Sequence, residues 1–130
     1  MADYLTDTHS LLWYFTQPAR LGSRASAAFA EVAVGTSRLL VPVIVLAELI
    51  FIIENKPISA DFDRILRHLQ ASPNVRIVEL SFARTLDLRA LTAIPEMHDR
   101  MIVAEALAHR ASLITRDRDI TAAGLVPVVW

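Results

Sequence analysis

The stretch HDRMIVAEALAHRASLIT, residues 98–115, joins a helical pattern directly to a strand pattern. Apolar residues recur at helical spacing in its first part, at Met101, Ile102, Ala104, Leu107 and Ala108. This spacing predicts a helix over residues 98–110. The short apolar run SLIT, residues 112–115, predicts a strand directly after it. A helix followed at once by a strand is typical of proteins in which helices cover a parallel sheet.

The remainder of the chain repeats this alternation of short strands and helices. Further strands are predicted at residues 4–6, 39–41 and 75–80, with a last strand within 126–130. Further helices are predicted after the first strand, with Leu11, Leu12 and Phe15 on one face, and over residues 23–34, 43–54, 59–70 and 81–93. Ser59 is the predicted N-cap of the helix over 59–70. We therefore expect residues 1–130 to form a single domain of α/β class, with three layers, α/β/α, and a central parallel sheet.

The composition is unusually apolar for a chain that is expected to remain in water. Apolar residues make up 54% of it, and the mean hydropathy is +0.41. The most apolar run, LLVPVIVLAELIFII at residues 39–53, is interrupted by Pro42 and Glu48 and is shorter than the roughly 18 residues that a membrane span needs. This run is therefore predicted to be buried in the protein. The apolar excess predicts a surface that a partner covers.

Charge and cysteine content exclude several other classes of protein. The net charge of −1 gives no general attraction to nucleic acid, and the lack of cysteine excludes disulfides and thiolate metal sites. The opening residues MADYLTD contain no basic segment followed by an apolar run, so a cytoplasmic protein is expected.

Two acids follow predicted strands, at the edge of the sheet where such folds bind ligands. Asp7 ends the first strand and Asp117 follows the strand SLIT, so both lie at the carboxyl edge if the strands are parallel. Each also has a purely structural interpretation. Asp7 could cap the next helix, and Asp117 could be a turn residue.

Two further acids lie in or at the start of predicted helices. Glu48 has apolar neighbours on every face of its helix, where an ionised carboxylate is costly unless it is paired or binds a metal. The structural alternatives are a side chain that reaches along its stem to solvent and a pair with an arginine. Asp99 lies in the first turn of its helix, where it could be a cap; the N-terminus of such a helix also lies at the carboxyl edge of the sheet.

If these four acids converge, they form a site with only oxygen ligands. The sequence has no cysteine, and no histidine pair has the spacing of metal ligands on one helix face. Oxygen ligands select a hard cation such as Mg²⁺ or Mn²⁺. A site of this kind suits the hydrolysis of a phosphodiester.

Four segments carry these acids: YLTDTHSLLWYF at 4–15, VIVLAELI at 43–50, IPEMHDRMIVAEALAH at 94–109 and LITRDRDI at 113–120. In this order, over essentially the whole length, they resemble the PIN domain, and most closely the VapC-type toxins of bacterial toxin–antitoxin pairs. The third segment is the most specific, whereas residues 55–80 match only generally. The resemblance implies an endoribonuclease that depends on Mg²⁺ or Mn²⁺ and is inhibited by a cognate VapB-type antitoxin.

The resemblance also assigns roles to individual residues. It places the catalytic and metal-binding acids at Asp7, Glu48, Asp99 and Asp117. Asp119 is a candidate further acid of this set, and Thr8 and Thr115 match the hydroxyl residues that flank it. The candidates for contact with RNA phosphates are Arg100, Arg116 and Arg118, although each could instead hold a neighbouring carboxylate.

A partner helix is expected to fill a groove between the helix at 23–34 and the apolar face of Phe62, Ile65, Leu66 and Leu69. The resemblance identifies this partner as the antitoxin, and a second apolar face is expected to form a homodimer.

Two alternatives to a metal-dependent enzyme stay open. One is a ribonuclease without metal that uses His9 and His98 as acid and base. The other is a binding module whose acids only stabilise the fold.

Overall fold

The computed structural model describes residues 2–130, which form a three-layer α/β/α fold around five parallel strands. The strands are β1 (Ala2–Thr6), β2 (Ser37–Pro42), β3 (Val75–Val78), β4 (Ser112–Ile114) and β5 (Val128–Val129). Their order across the sheet is β3-β2-β1-β4-β5, and every neighbouring pair is parallel. The predicted fold class is therefore confirmed, and β1 lies at the centre of the sheet.

Within residues 2–130, seven α-helices connect and cover these strands. They are α1 (Thr8–Thr16), α2 (Ser23–Val34), α3 (Val43–Asn55), α4 (Phe62–Ala71), α5 (Phe82–Asp87), α6 (Met97–His109) and α7 (Arg118–Ala123). Short 3-10 turns follow α1 and α5, at Pro18–Arg20 and Leu88–Ala90. α2 ends at Gly35, whose φ of 87° is the left-handed conformation that glycine adopts without strain.

The core lies on both faces of the sheet, as expected for a parallel sheet between two helical layers. Leu39, Leu40 and Val41 are consecutive on β2 and all are buried, so side chains pointing to either face meet apolar partners. Leu5, on the central strand, is fully buried. No helix of residues 2–130 is long and apolar enough to cross a membrane.

Two predicted helices differ from those in the structure. α4 is capped by Asp61, whose carboxylate accepts from the Arg64 N–H at 3.2 Å, so the prediction of Ser59 as its N-cap was wrong. Ser59 lies two residues further from that N–H. The helix predicted over 81–93 ends at Asp87 and continues only as the 3-10 turn.

On the apolar face of α4, Ile65 and Leu69 are used for the core, whereas Phe62 and Leu66 are half-buried. Ile65 and Leu69 are each 3% exposed. The space that remains between α2 and α4 is a cavity of about 130 Å³, and a helix some 10 Å across does not fit there. The most exposed large apolar side chains are Phe82 on α5 at 80%, Val34 at the end of α2 at 75% and Phe51 on α3 at 70%.

Candidate active site

Asp7 and Thr115 meet at the carboxyl edge of the sheet because β1 and β4 are parallel neighbours that end side by side. Thr6 lies opposite Ile114 in the register of the two strands. The Thr115 hydroxyl donates a short hydrogen bond to Asp7 Oδ2. The Asp7 N–H donates to the Ile114 carbonyl at 3.2 Å. The sheet thus joins two residues that are 108 positions apart in the sequence.

Asp7 also caps α1, since its Oδ1 accepts from the Ser10 N–H at 2.9 Å. Burial raises the pKa of Asp7, and the hydrogen bonds from Ser10 and Thr115 oppose that shift by stabilising the charged form. The structural interpretation of Asp7 as a cap is therefore right, and it does not remove Asp7 from the edge where a ligand would bind.

Asp117 is held at the same edge by two hydrogen bonds. Its backbone N–H donates to Thr115 Oγ1 at 3.0 Å, and its Oδ1 accepts from the Ile120 N–H at 2.9 Å, which caps α7. Thr115 is fully buried and contacts both acids, so one hydroxyl sets the relative position of Asp7 and Asp117.

Glu48 extends from α3 and is half-buried beside α1. Its Oε1 accepts from the Thr8 hydroxyl at 2.7 Å. Of the two structural alternatives, the ion pair with arginine is absent, since no ion pair within residues 2–130 includes Glu48. The side chain is partly accessible to solvent, as the other alternative expects. A single neutral hydroxyl therefore holds this carboxylate.

Asp99 lies in the first turn of α6 but does not cap it. The cap is Glu96, whose Oε2 accepts from the Asp99 N–H at 2.7 Å, so the interpretation of Asp99 as the helix cap was wrong. The pKa of Asp99 is raised to about 7, first by burial and then by the charges of Asp117, Glu96, Glu48 and Asp7. The structure thus brings acids from four separate segments close enough to oppose each other's ionisation.

Basic side chains form no ion pair within residues 2–130 with the acids of this edge, Asp7, Glu48, Asp99 and Asp117. An unpaired set of carboxylate oxygens has the donor chemistry that a hard divalent cation requires. The carboxylates do not form a closed cage, because the described residues contain no group of three or more acidic or histidine side chains that could hold an ion as they stand.

A cleft of about 1060 Å³ opens beside the acids. Asp7 and Asp117 line it, and four basic side chains face them: Arg20, Lys56, Arg116 and Arg118. His9 and Trp13, from α1, form part of its wall. The cleft is therefore lined by both acidic and basic side chains.

Comparison with known families identifies this arrangement. A family model described as the PIN domain matches residues 4–125. The chain belongs to the PIN-domain family. The matched residues include all four acids and both threonines that hold them. Among curated proteins, no significant match to this PIN domain was found.

Solved structures with the same fold cover almost the whole PIN domain. One is VapBC2 from Rickettsia felis bound to a promoter DNA fragment, with 16% identity over 97% of this chain and 96% of that chain, and a TM-score of 0.73. DNA-bound VapBC from Salmonella typhimurium has 15% identity over 98% and 97%, with a TM-score of 0.68. A toxin–antitoxin complex from Klebsiella pneumoniae has 21% identity over 95% and 94%, with a TM-score of 0.64.

The three arginines predicted to contact phosphate fall into two groups. Arg116 and Arg118 line the cleft of the PIN domain. Arg100 instead donates from Nε to the Ile94 carbonyl at 2.6 Å and from Nη1 to the Leu88 carbonyl at 3.4 Å. Its guanidinium fixes the loop before α6, and it is not among the residues that line the cleft.

The structure places the other predicted residues, Asp119, His9 and His98, in different surroundings. Asp119 is exposed in the first turn of α7. His9 is exposed and lines the cleft, whereas His98 Nδ1 lies 2.7 Å from Glu96 Oε1 at the start of α6. The proposed acid–base pair of His9 and His98 therefore has one member in the cleft and one held by a neighbouring carboxylate.

Reasoning from the sequence missed Arg20 and Lys56 as residues of the cleft. Arg20 ends a 3-10 turn after α1, and Lys56 follows the end of α3. Neither position belongs to a periodic pattern or to the motifs that carried the resemblance. The available signal was only their place next to a helix end, which many surface residues share.

Proposed function

We propose that this PIN domain is a metal-dependent endoribonuclease and the toxin of a VapBC-type pair. The observation that carries the proposal is that the charges of Asp117, Glu48 and Asp7 all act on Asp99, while no ion pair within residues 2–130 includes any of the four acids. PIN domains are in general nucleases, and the similar solved structures include toxin–antitoxin complexes.

In this proposal Asp7, Glu48, Asp99 and Asp117 hold one or two Mg²⁺ or Mn²⁺ ions. When bound, such an ion activates water and offsets the charge that develops on a phosphodiester. Thr115 and Thr8 hold the carboxylates of Asp7 and Glu48 in fixed orientations through their hydroxyls. Hydrolysis then leaves a 5′ phosphate and a 3′ hydroxyl.

Each acid contributes a geometry that its local structure sets. The caps of α1 and α7 fix Oδ1 of Asp7 and of Asp117, so both carboxylates point along the edge at the start of a helix. Asp99 is free of the capping role because Glu96 performs it. Asp119 supports this set from α7, and its contribution is expected to be smaller because its side chain is exposed.

The proposed regulatory partner is a cognate VapB-type antitoxin. Its contact is expected to cover exposed apolar surface, since Ile50 and Phe51 lie on the same helix as the cleft residue Ile52. The proposal includes a homodimer, with another apolar face at its interface. Co-expression with the small protein encoded next to this chain, the expected antitoxin, should give an inactive complex.

The test is cleavage of total RNA by the chain after its separation from the co-expressed antitoxin. Cleavage is expected to stop in EDTA and to return when Mn²⁺ is added in excess. Cleavage that continues in EDTA would favour a mechanism based on His9 instead, and that outcome is checked with His9→Ala. If RNA stays intact under every condition while the chain is folded, the nuclease proposal is wrong.

A further inference from the structure

The cleft contains a second cluster, which we call the Trp13 cluster: Trp13, Arg20 and Arg116. The guanidinium carbon of Arg20 lies 4.3 Å from the centre of the Trp13 ring, and that of Arg116 lies 5.1 Å from it. Both distances are within the range of cation–π attraction. Arg20 comes from the turn after α1 and Arg116 from the segment after β4, so one indole ring organises cations from two distant segments.

The indole ring is held firmly by its surroundings. Trp13 is only 8% exposed, and Trp130 packs its ring edge against it at a centroid distance of 5.9 Å. Trp130 in turn lies so close to Gly22 that a Cβ at that position would be 2.6 Å from the Trp130 carbonyl carbon. The ring is therefore a fixed support, and little of it is available for stacking on a base.

The two guanidinium groups keep most of their donors unused. Arg20 makes one long hydrogen bond, from Nη1 to Gln17 Oε1 at 3.3 Å. Neither Arg20 nor Arg116 takes part in an ion pair within residues 2–130, although Asp7 and Asp117 line the same cleft. A guanidinium that stacks on a ring keeps its N–H edge free, and this edge matches the geometry of a phosphate.

We propose that the Trp13 cluster binds the phosphate backbone of single-stranded RNA and holds it against the acidic edge. The inference rests on the proposed nuclease function. Four carboxylates repel a polyanion, so a substrate of this class needs cations beside them to approach. Because Trp13 is buried under the guanidiniums, the cluster grips the backbone and does not read base sequence.

The test measures RNA binding in EDTA, where binding does not depend on metal or on cleavage. A fluorescent single-stranded RNA of about 12 nucleotides is titrated with each protein at several salt concentrations. Arg20→Ala and Arg116→Ala are each expected to weaken binding and to reduce the slope of log K against log salt by about 0.7, the value for one phosphate contact on a single strand. Arg67→Ala, which removes an exposed arginine of α4 outside the cleft, is expected to bind as wild type does.

Trp13 is tested separately because its substitution removes no charge. Trp13→Leu is expected to weaken RNA binding through loss of the support, whereas Trp13→Phe retains a ring and most of the affinity. Thermal melts of both variants establish that they are folded. If Trp13→Leu does not fold, the role of the cluster is decided from the separate variants Trp13→Phe, Arg20→Ala and Arg116→Ala.

Unchanged affinity and salt slope in Arg20→Ala and Arg116→Ala would overturn the inference. So would loss of binding to poly-glutamate in these variants with RNA binding intact, because the cluster would then serve an acidic peptide. The proposed function fails independently, if wild type binds RNA through the cluster but does not cleave it in Mn²⁺.

Discussion

Helix α6 carries two acids that the protein treats in opposite ways. The Glu105 side chain is 4% exposed and has two basic neighbours, with Arg84 Nε at 3.4 Å from Oε1 and His109 Nε2 at 3.3 Å from Oε2. Asp99, near the start of the same helix, is more exposed and is surrounded by other acids. Within residues 2–130, ion pairs thus form at the buried Glu105 and at none of the four acids of the edge. This contrast is what the proposed binding of a cation at the edge would require.

The largest expected effect comes from removing one acid of the edge. Asp99→Asn keeps the shape but removes an anionic ligand, and RNA cleavage is expected to fall by at least about 100-fold. Asp7→Asn should have a similar effect. Both are measured as initial rates in Mn²⁺, together with growth inhibition in cells.

Asp63→Asn is the matched control, because Asp63 is also an acid in the first turn of a helix, α4, but is exposed and is not one of the acids whose charges act on Asp99. It is expected to retain wild-type activity. Full activity in Asp99→Asn would reject the acid set, and loss of activity in Asp63→Asn would mean that helix-dipole effects, not ligand loss, explain the result.

The threonines that orient the acids give the next largest effect. Thr115→Val removes the hydroxyl that contacts Asp7 and Asp117, and activity is expected to fall by about 10- to 100-fold, as for other partners of metal ligands. Thr115→Ser keeps the hydroxyl and should restore most of the rate. Equal rates in the Val and Ser variants would show that the hydroxyl does not position the acids.

Loss of the ion pair at the buried Glu105 is expected to lower the stability of the fold but not the rate of RNA cleavage. Arg84→Met leaves Glu105 without its arginine and should lower the free energy of unfolding by about 2 kcal/mol, less than for a fully buried pair because Arg84 is 24% exposed. Urea unfolding measures this loss. The double variant Arg84→Met/Glu105→Gln should recover part of it, and no recovery would mean that the two side chains are not coupled.

The last effect is a pH dependence of stability in the metal-free protein. The pKa of Asp99 rises from 3.8 to about 7 on folding, so the folded state binds the proton more tightly than the unfolded state. Its contribution to stability is therefore full below pH 3.8 and is lost as the pH rises to about 7. Asp99→Asn should remove this loss.

Thermal melts of metal-free protein between these pH values check the sign. Metal-free Asp99→Asn is expected to melt no lower than metal-free wild type at neutral pH, since substitution relieves repulsion and Glu96, not Asp99, caps α6. A melting temperature lower by several degrees would give Asp99 a structural role that the hydrogen bonds do not indicate.

The fold was predictable from the sequence because its signals are local. The helix predicted over 23–34 has the observed bounds, and the alternation of strands and helices was sufficient to predict the parallel sheet. The position of Asp7 and Asp117 at one edge also followed, because parallel strands end together. The catalytic roles of the acids stay predictions.

Features that depend on competition between neighbours were not predictable. Glu96 and Asp99 are both acids near the start of α6. The backbone conformation there decides that Glu96 accepts from the Asp99 N–H and caps the helix. The same holds for Asp61 and Ser59 at α4. The Trp13 cluster depends on stacking between residues about a hundred positions apart, for which the sequence contains no periodic signal.

Calorimetric titration with Mn²⁺ tests the central claim most directly, because it compares the two acids of α6 without requiring RNA. At about pH 8, where Asp99 is ionised, wild type and Glu105→Gln are expected to bind Mn²⁺ with similar affinity. Asp99→Asn is expected to bind at least about 10-fold more weakly. Equal affinity in Asp99→Asn and wild type, or no binding by wild type, would contradict the account that the unpaired acids at this edge exist to hold a cation.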